Sequence, residues 1–300
     1  MKRVNKMKQA MVILNPSSGN EAAIDYKSAI VEAVSDKGYE VTVKETKKQN
    51  DATVFAEEAV NEGYDYVVGV GGDGTINEVI TGLAKYENQP LFSFVPFGTV
   101  NDFARAIGIP LKPKAAIEWL KEADTEQRVD IGKVNDHYFV NVVALGAVAE
   151  ATYEVGVEQK TRLGPLAYYI EGAKTLAENK VYPLIFKTGE DTIEEEAFLV
   201  VIGMTNSIAG FERMATDAKL DDGYMHVFIV KKLTGFDLMT ILPSVLTGEF
   251  KDHEKVRYIK TNEISIESTQ SLHTNIDGDE GDDLPLHLTV LPKHIRLLRK

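Results

Sequence analysis

The sequence predicts an α/β domain followed by a β-rich one, and three observations carry that prediction. Up to about residue 130, short apolar runs alternate with stretches of helical periodicity. The central apolar run, Tyr66 to Val70, breaks into Gly69, Gly71, Gly72 and Gly74 and then enters an amphipathic helix. From Arg128 onward the pattern becomes that of strands at short intervals.

The elements follow in order. Ala10 to Leu14 is the first strand, ending in the turn former Asn15-Pro16 and then Ser17-Ser18-Gly19. Glu21 to Lys37 reads as a helix with Ile24, Ile30, Val31 and Val34 as its buried stripe. Tyr39 to Glu45 alternates inward and outward residues as a second strand, with Thr46 at its end. Asp51 is expected to cap a helix that runs to Asn61 and stops at Gly63. After the third strand, Ile76, Val79, Ile80 and Leu83 share one helix face, and Leu91 to Val95 makes the fourth strand. Such a β-α-β-α-β-loop-α-β order implies a doubly wound, mostly parallel sheet with its site at the carboxyl ends of the strands. Asn15, Thr46, Gly71 to Thr75 and Gly98 to Asp102 all fall at such ends.

Pro110 and Pro113 precede a helix from Lys114 to Ala123. Val129–Val134 and Tyr138–Val143 then alternate about Asn135-Asp136, a hairpin signal. Further strands are expected at Leu184–Lys187, Ala197–Met204, Tyr224–Val230, Val256–Lys260, Ile264–Ile266 and Leu286–Leu291, giving a largely antiparallel second domain. The boundary is placed near 130: residues 1–130 form one domain and 131–300 the other, with a C-terminal tail that can return to the first. Two helices interrupt the strands. Leu163 to Ala177, beside Lys160 and Arg162, is either sheet cover or a membrane-facing lip; Gly235 to Thr247, with Phe236, Leu238, Met239, Leu242 and Leu246, is expected to cover the sheet core.

Composition narrows the function. The chain is 44% hydrophobic and 26% charged, as in a soluble globular protein. It has no cysteine, which excludes disulfides and thiolate chemistry. Neither a signal peptide nor a run of about 18 apolar residues occurs, so a cytoplasmic protein is expected. A formal charge of −13 argues against nucleic acid and against general adsorption to anionic lipid. Membrane contact should therefore be local, through a small apolar or basic patch.

The chemistry is concentrated at the glycine turn. Glycines let backbone N–H groups approach a phosphate, and the following helix adds its positive end. The turn lacks the Gly-Lys-[Ser/Thr] ending of a P-loop and is no clean dinucleotide fingerprint. Asp73 in its middle is electrostatically wrong for phosphate unless a divalent cation or a proton transfer uses it. No competing chemistry is visible, since the six histidines stand outside any H-E-x-x-H pattern and no G-x-S-x-G elbow occurs.

Three blocks carry a resemblance. Gly71-Gly-Asp-Gly-Thr75 with Asn77-Glu78 resembles the glycine-rich motif of the diacylglycerol kinase catalytic domain, a family that includes sphingosine and ceramide kinases and is more distantly related to NAD kinase. Pro96-Phe-Gly-Thr-Val-Asn-Asp-Phe-Ala-Arg105 is similar to its P-x-G-T-x-N-D-F-A-R block, and Asn15-Pro-Ser-Ser-Gly19 to its first nucleotide turn. The resemblance implies a phosphofructokinase-like nucleotide domain and a β-sandwich lipid domain. ATP would be bound by Asn15, Pro16, Ser17, Ser18, Gly19, Thr46, Gly71, Gly72, Gly74, Thr75, Asn77, Glu78, Thr99 and Asn101, with Asp73 and Asp102 holding the metal–water network. It also implies a structural Mg²⁺ at the turn Asp217 to Tyr224, held by Asp222 and the carbonyls of Lys219 and Tyr224; a plain Asp-Asp-Gly turn is the bland alternative.

The densest acidic run, Asn275 to Asp283, is no EF-hand, because Asp282 stands where glycine and Leu288 where glutamate would be required. By resemblance a D-G-E motif here supplies the general base. Asp279 takes that glutamate's place and Glu280 falls one later, leaving the base between them, with Asp279 preferred. The expected activity is ATP- and Mg²⁺-dependent phosphorylation of a lipid hydroxyl, most simply diacylglycerol to phosphatidic acid, with the acyl chains in a groove of the second domain and the reaction in the cleft between domains. Kinases of phosphatidylglycerol, a long-chain base or NAD, and a catalytically idle lipid or nucleotide sensor, are the alternatives. A homodimer is implied by resemblance alone.

Overall fold

A computed structural model describes residues 7–19, 22–146, 180–189, 191–208 and 210–300. The expected helix from 163 to 177, with Lys160 and Arg162, lies outside the described residues. The chain divides into two compact units: residues 1–129 with 293–300, and residues 130–292.

The first unit is built on β1 (Lys8–Leu14), β2 (Tyr39–Glu45), β3 (Tyr66–Gly71) and β4 (Leu91–Pro96). They lie in the order β2-β1-β3-β4, all parallel. Every residue of β3 is buried, as expected of a central strand covered on both faces. Helices α1 (Lys27–Ser35), α2 (Asp51–Asn61), α3 (Asp73–Ala84), α4 (Asp102–Ile107) and α5 (Pro113–Glu122) fill the connections. Ile76, Val79, Ile80 and Leu83 of α3 are buried, as the periodicity requires. Gly82 brings α3 close to α2, since a Cβ there would stand 2.5 Å from the Thr53 carbonyl oxygen.

Two local expectations change. The first helix begins as a 3-10 turn at Ile24–Tyr26 and turns regular only at Lys27. Ile24 is consequently exposed, and it is Tyr26 whose ring meets Phe97, with centroids 5.6 Å apart. Asp51 is not the N-cap of α2. Asn50 holds that position at φ +68°, while the Asp51 carboxylate turns back to accept the N–H groups of Lys47 and Lys48 at 2.8 and 3.0 Å. Those bonds hold its pKa below the usual carboxylate value.

The second unit begins within β5 (Thr125–Val134), which pairs with β6 (His137–Phe139) about Asn135 at φ +49°. The hairpin's second strand ends sooner than its alternation suggests. The chain leaves the pairing at Val140 and resumes as β7 (Val142–Gly146) beside a different strand. The main antiparallel sheet contains β8 (Tyr182–Thr188), β9 (Asp191–Gly203), β10 (Met225–Lys231), β11 (Val256–Thr261) and β12 (Glu263–Glu267), with the short β13 (Thr274–Ile276) and β14 (Asp279–Glu280) at one side. Strand β9 alternates between two cores. Val200 and Ile202 face one with Val227 and Ile229 of β10, whereas Val201 faces the other with Phe228 and Val230. Helix α6 (Gly235–Thr247) covers this second core, but with Ile241 and Val245. Phe236, Met239, Leu242 and Leu246, expected as its buried stripe, are exposed. The helix offered two apolar faces, and the one with two medium-sized aliphatics at i and i+4 won the sheet.

The last strand, β15 (Leu286–Arg299), runs antiparallel to β12 through Leu286–Thr289. Its final residues belong to the first unit, where Leu297 pairs in parallel with Phe92 of β4 and the Ser93 hydroxyl donates to the Leu298 carbonyl at 2.7 Å.

Candidate active site

In the first unit the carboxyl ends of four parallel strands assemble the glycine-rich residues. Asn15 follows β1, donates its backbone N–H to Val70 of β3 and its side-chain amide to Thr75 Oγ1, both at 2.9 Å. The Asn15 side-chain oxygen in turn accepts the Ser17 N–H at 3.1 Å, which shapes the Pro16–Ser18 turn. Gly19, at φ +64°, lets that turn lie against Phe97; a Cβ would stand 3.2 Å from its ring. Thr46 donates its N–H to Leu14 and is buried beside the same strand end.

The centre is the meeting of two loops. Phe97 N–H donates to the Gly71 carbonyl at 2.7 Å, and a Cβ on Gly98 would stand 2.9 Å from Gly72 Cα. A Cβ on Gly71 would collide with Thr75 at 2.5 Å, so the β3–α3 turn also needs its glycine. Asp73, in the first turn of α3, accepts the backbone N–H groups of Asn101 at 2.7 Å and Asp102 at 2.9 Å. It thereby holds the start of α4, where Asn101 sits in the left-handed region at φ +54°. The Asn101 amide closes the loop from the other side, accepting from Gly98 N–H at 2.8 Å and donating to Gly98 O at 2.7 Å.

The electrostatics of this pair are unfavourable as they stand. Burial, followed by the neighbouring charge of Asp102, pushes the Asp73 pKa above the usual carboxylate value despite the two N–H donors. Asp102 is itself buried. Two neighbouring acids, Asp102 buried and Asp73 partly so, are what a divalent cation would relieve, so the residues fit Mg²⁺. The Asn77 side-chain oxygen is buried and lacks a hydrogen-bond partner, which also suits a ligand with a donor. Gly74 and Thr99 are exposed at the loop tips. Glu78 is the exception among the expected nucleotide residues: its carboxylate accepts Ala52 N–H at 3.2 Å and its carbonyl accepts the Thr53 hydroxyl, tying α3 to α2.

In the second unit Asp279 and Glu280 lie on a two-residue hairpin. Ile276 pairs with Asp279 and Asn275 with Glu280, about Asp277 at φ +49° and Gly278 at φ +99°. Two successive positive φ values are the primed turn that Asp-Gly favours. Asp279 and Glu280 are exposed and fall on opposite faces of the ribbon, Asp279 on the face of Ile276. The buried Asp277 was not singled out from the sequence. Its carboxylate accepts N–H groups from Val140 at 2.7 Å, Asn141 at 3.0 Å and Val142 at 2.7 Å, and its own N–H donates to Val142 O. These bonds both end the β5–β6 hairpin and anchor the acidic tip; the Asp-Gly dipeptide was the available signal.

The turn before β10 is tied from within its own unit. Asp130, also unforeseen, donates its N–H to Leu220 O and accepts Gly223 N–H at 2.6 Å. Asp222 accepts Tyr224 N–H with one oxygen and meets Lys260 Nζ at 2.9 Å with the other. A cation at Asp222 would therefore have to displace an ammonium. Among the described residues no group of three or more His, Cys, Asp or Glu side chains is arranged to hold a metal.

A glycine turn at the ends of parallel strands, with two acids beside it, is a site suited to phosphate and a divalent cation. Comparison with known proteins gives the family. Residues 9–134 match the diacylglycerol kinase catalytic domain, and residues 141–299 match the YegS C-terminal NAD kinase beta sandwich-like domain. A diacylglycerol kinase of Staphylococcus aureus (strain bovine RF122 / ET3-1) is 40% identical over 291 residues, covering 96% of this chain and 91% of that one. A crystal structure of a diacylglycerol kinase from Bacillus anthracis str. Sterne superposes with a TM-score of 0.83 at 26% identity, covering 99% of this chain and 98% of the other. A second structure from that strain gives 0.86 at 25% identity. The chain belongs to the diacylglycerol kinase family and is a lipid kinase.

Proposed function

We propose that the protein transfers the γ-phosphoryl group of ATP to the free hydroxyl of diacylglycerol, giving phosphatidic acid and ADP. The observation that carries this reading is Asp73, whose carboxylate holds the backbone N–H groups of Asn101 and Asp102 within a glycine-lined turn and whose pKa burial, and then the charge of Asp102, raises. Backbone donors of Gly71 to Thr75, at the start of α3, would orient the phosphates. Asp73 and Asp102 would hold Mg²⁺, which would supply neutralisation of the phosphate oxygens and of the two acids. Asn15, Ser17, Ser18, Gly19 and Thr46 would border the nucleotide, with Asn77 Oδ1 accepting from it. Asp279 is the general base. It takes the hydroxyl proton as the lipid oxygen bonds to the γ-phosphorus and the bond to ADP breaks, a role worth about 10²–10⁴-fold. No step runs through Asp222.

The test is transfer from γ-labelled ATP with Mg²⁺ to a panel of lipids in mixed micelles, for the native protein, Asp279→Ala and Glu280→Ala. Labelled phosphatidic acid, abolished in Asp279→Ala and retained in Glu280→Ala, is expected. Loss only in Glu280→Ala would move the base by one residue, and label confined to another lipid would overturn the substrate.

A further inference from the structure

The acidic hairpin that carries Asp279 and Glu280 returns to the sheet through residues 281–285, and side chains as well as backbone hold this limb. Gly281 donates its N–H to Thr274 O at 2.9 Å, and the Thr274 hydroxyl donates to Asp282 O at 2.6 Å. A Cβ on Gly281 would stand 2.6 Å from Ile276 Cδ1, so the limb lies tightly on β13. The two acids that follow each meet a histidine. Asp282 Oδ1 lies 3.3 Å from Nε2 of His137, the first residue of β6, and its Oδ2 accepts the Asn135 amide at 3.0 Å. Asp283 Oδ1 lies 3.0 Å from Nδ1 of His273, one residue before β13, and its Oδ2 accepts the Ser271 hydroxyl at 3.2 Å. Asn135 Oδ1 also accepts the His287 N–H at 3.0 Å, which pins the far end of the limb.

We propose that His137 and His273 are positioning residues for the general base: when protonated, each grips one acid of the limb, and the limb holds the hairpin in its working place. The inference rests on the assignment of the base to this hairpin, whether to Asp279 or to Glu280. Histidine changes its charge near neutral pH, and a charge-assisted hydrogen bond to a carboxylate is about twice as strong as a neutral one. The two rings are 53% and 56% exposed, so protons reach them without any opening of the fold. A single exposed pair contributes little. Here two pairs act on adjacent residues of one short limb, and Gly281, tied to β13, is only two residues from Asp279. A shift of the limb is therefore passed to the base. The neighbouring elements add Asp136 beside His137, Lys133 on β5, Glu280 on β14, and Glu263 on β12, which lies 3.5 Å from His287 Nε2. Their titration is common to the native protein and to variants of the two histidines, so a comparison of the two isolates the pairs.

The first measurement needs neither lipid nor nucleotide. Amide hydrogen exchange of residues 277–284, corrected for the intrinsic rate, is followed at pH 6 and pH 8. Protection in the native protein should be about two- to fivefold greater at pH 6, and equal at the two pH values in the double variant His137→Gln, His273→Gln. Asp282→Asn with Asp283→Asn, which keeps both histidines, should behave like the histidine variant. The second measurement is kcat with γ-labelled ATP, Mg²⁺ and the lipid that the native protein phosphorylates best. The ratio of native to histidine-variant kcat should be about two- to fivefold at pH 6 and close to one at pH 8, with KM for ATP equal in both. Protection indifferent to pH in the native protein, or native pH dependence in either double variant, would overturn the proposal. So would pH-dependent protection beside a flat kcat ratio, since the limb would then be held without positioning the base. Label on a lipid other than diacylglycerol would count against that acceptor alone, because neither the exchange nor the kcat ratio depends on which lipid is used.

Discussion

The carboxylate of Asp73 receives the backbone N–H of Asp102 at 2.9 Å, so one acid of the site positions the other through the main chain. Asp73 is thus both a charge and a cap: it grips the first turn of α4 with Oδ1 and Oδ2 while lowering the local potential. Asp73→Asn keeps the shape but offers one of the two N–H donors an amide N–H in place of an acceptor. We expect kcat to fall by about 10²–10³-fold, with a smaller change in nucleotide affinity measured by calorimetry. A native kcat would remove Asp73 from the chemistry.

The raised pKa of Asp73 has a definite sign. Its protonated form favours the folded state, a contribution present below the ordinary carboxylate pKa and lost as pH rises through the raised value. Divalent cation binding requires the ionised form and therefore competes with that proton. Increasing Mg²⁺ should move the acid limb of the kcat/KM–pH profile to lower pH. The profile of Asp73→Asn should lack this dependence, and a limb indifferent to Mg²⁺ in the native protein would contradict the assignment.

Gly98→Ala tests the contact of the two loops without touching a charge. The new Cβ would stand 2.6 Å from Asn101 Oδ1 and 2.9 Å from Gly72 Cα, and backbone cannot yield as a flexible side chain can. A stability loss of about 1–3 kcal/mol by denaturant unfolding is expected, with a larger proportional loss of kcat.

Asp277→Asn should preserve the left-handed turn, which asparagine tolerates, while leaving one of the three N–H donors facing an amide N–H. Removing the acceptor entirely in Asp277→Ala should cost about 3 kcal/mol or more in unfolding experiments. If the hairpin positions the base, Asp277→Asn lowers kcat while leaving KM for ATP near native. Equal loss in both parameters would mean a general structural role.

What was legible in the sequence was what local pattern dictates. The alternation of apolar runs and helical stripes gave the parallel unit, and the glycine spacing placed its turns at the strand ends, because both depend on neighbours within a few residues. Asp130 and Asp277 were missed because their meaning lies in partners far along the chain: Gly223 for the one, Val140 to Val142 for the other. The face of α6 was misassigned for a related reason. Ile241 and Val245 carry no stronger periodic signal than Phe236, Met239 and Leu242, and only the fit to β9 and β10 decides between them. Glu78 shows the same limit at the site, since its place in the motif did not reveal that it serves the start of α2.

Strand β15 sets an order of events for synthesis. Phe92 in β4 waits for Leu297, about two hundred residues later, before its outer edge is paired. A nascent chain that has already made the whole glycine turn still presents an open, hydrophobic strand edge, the kind that recruits other chains. The parallel unit thus matures only after the β-rich unit has been translated, and premature termination should yield aggregates rather than an active fragment.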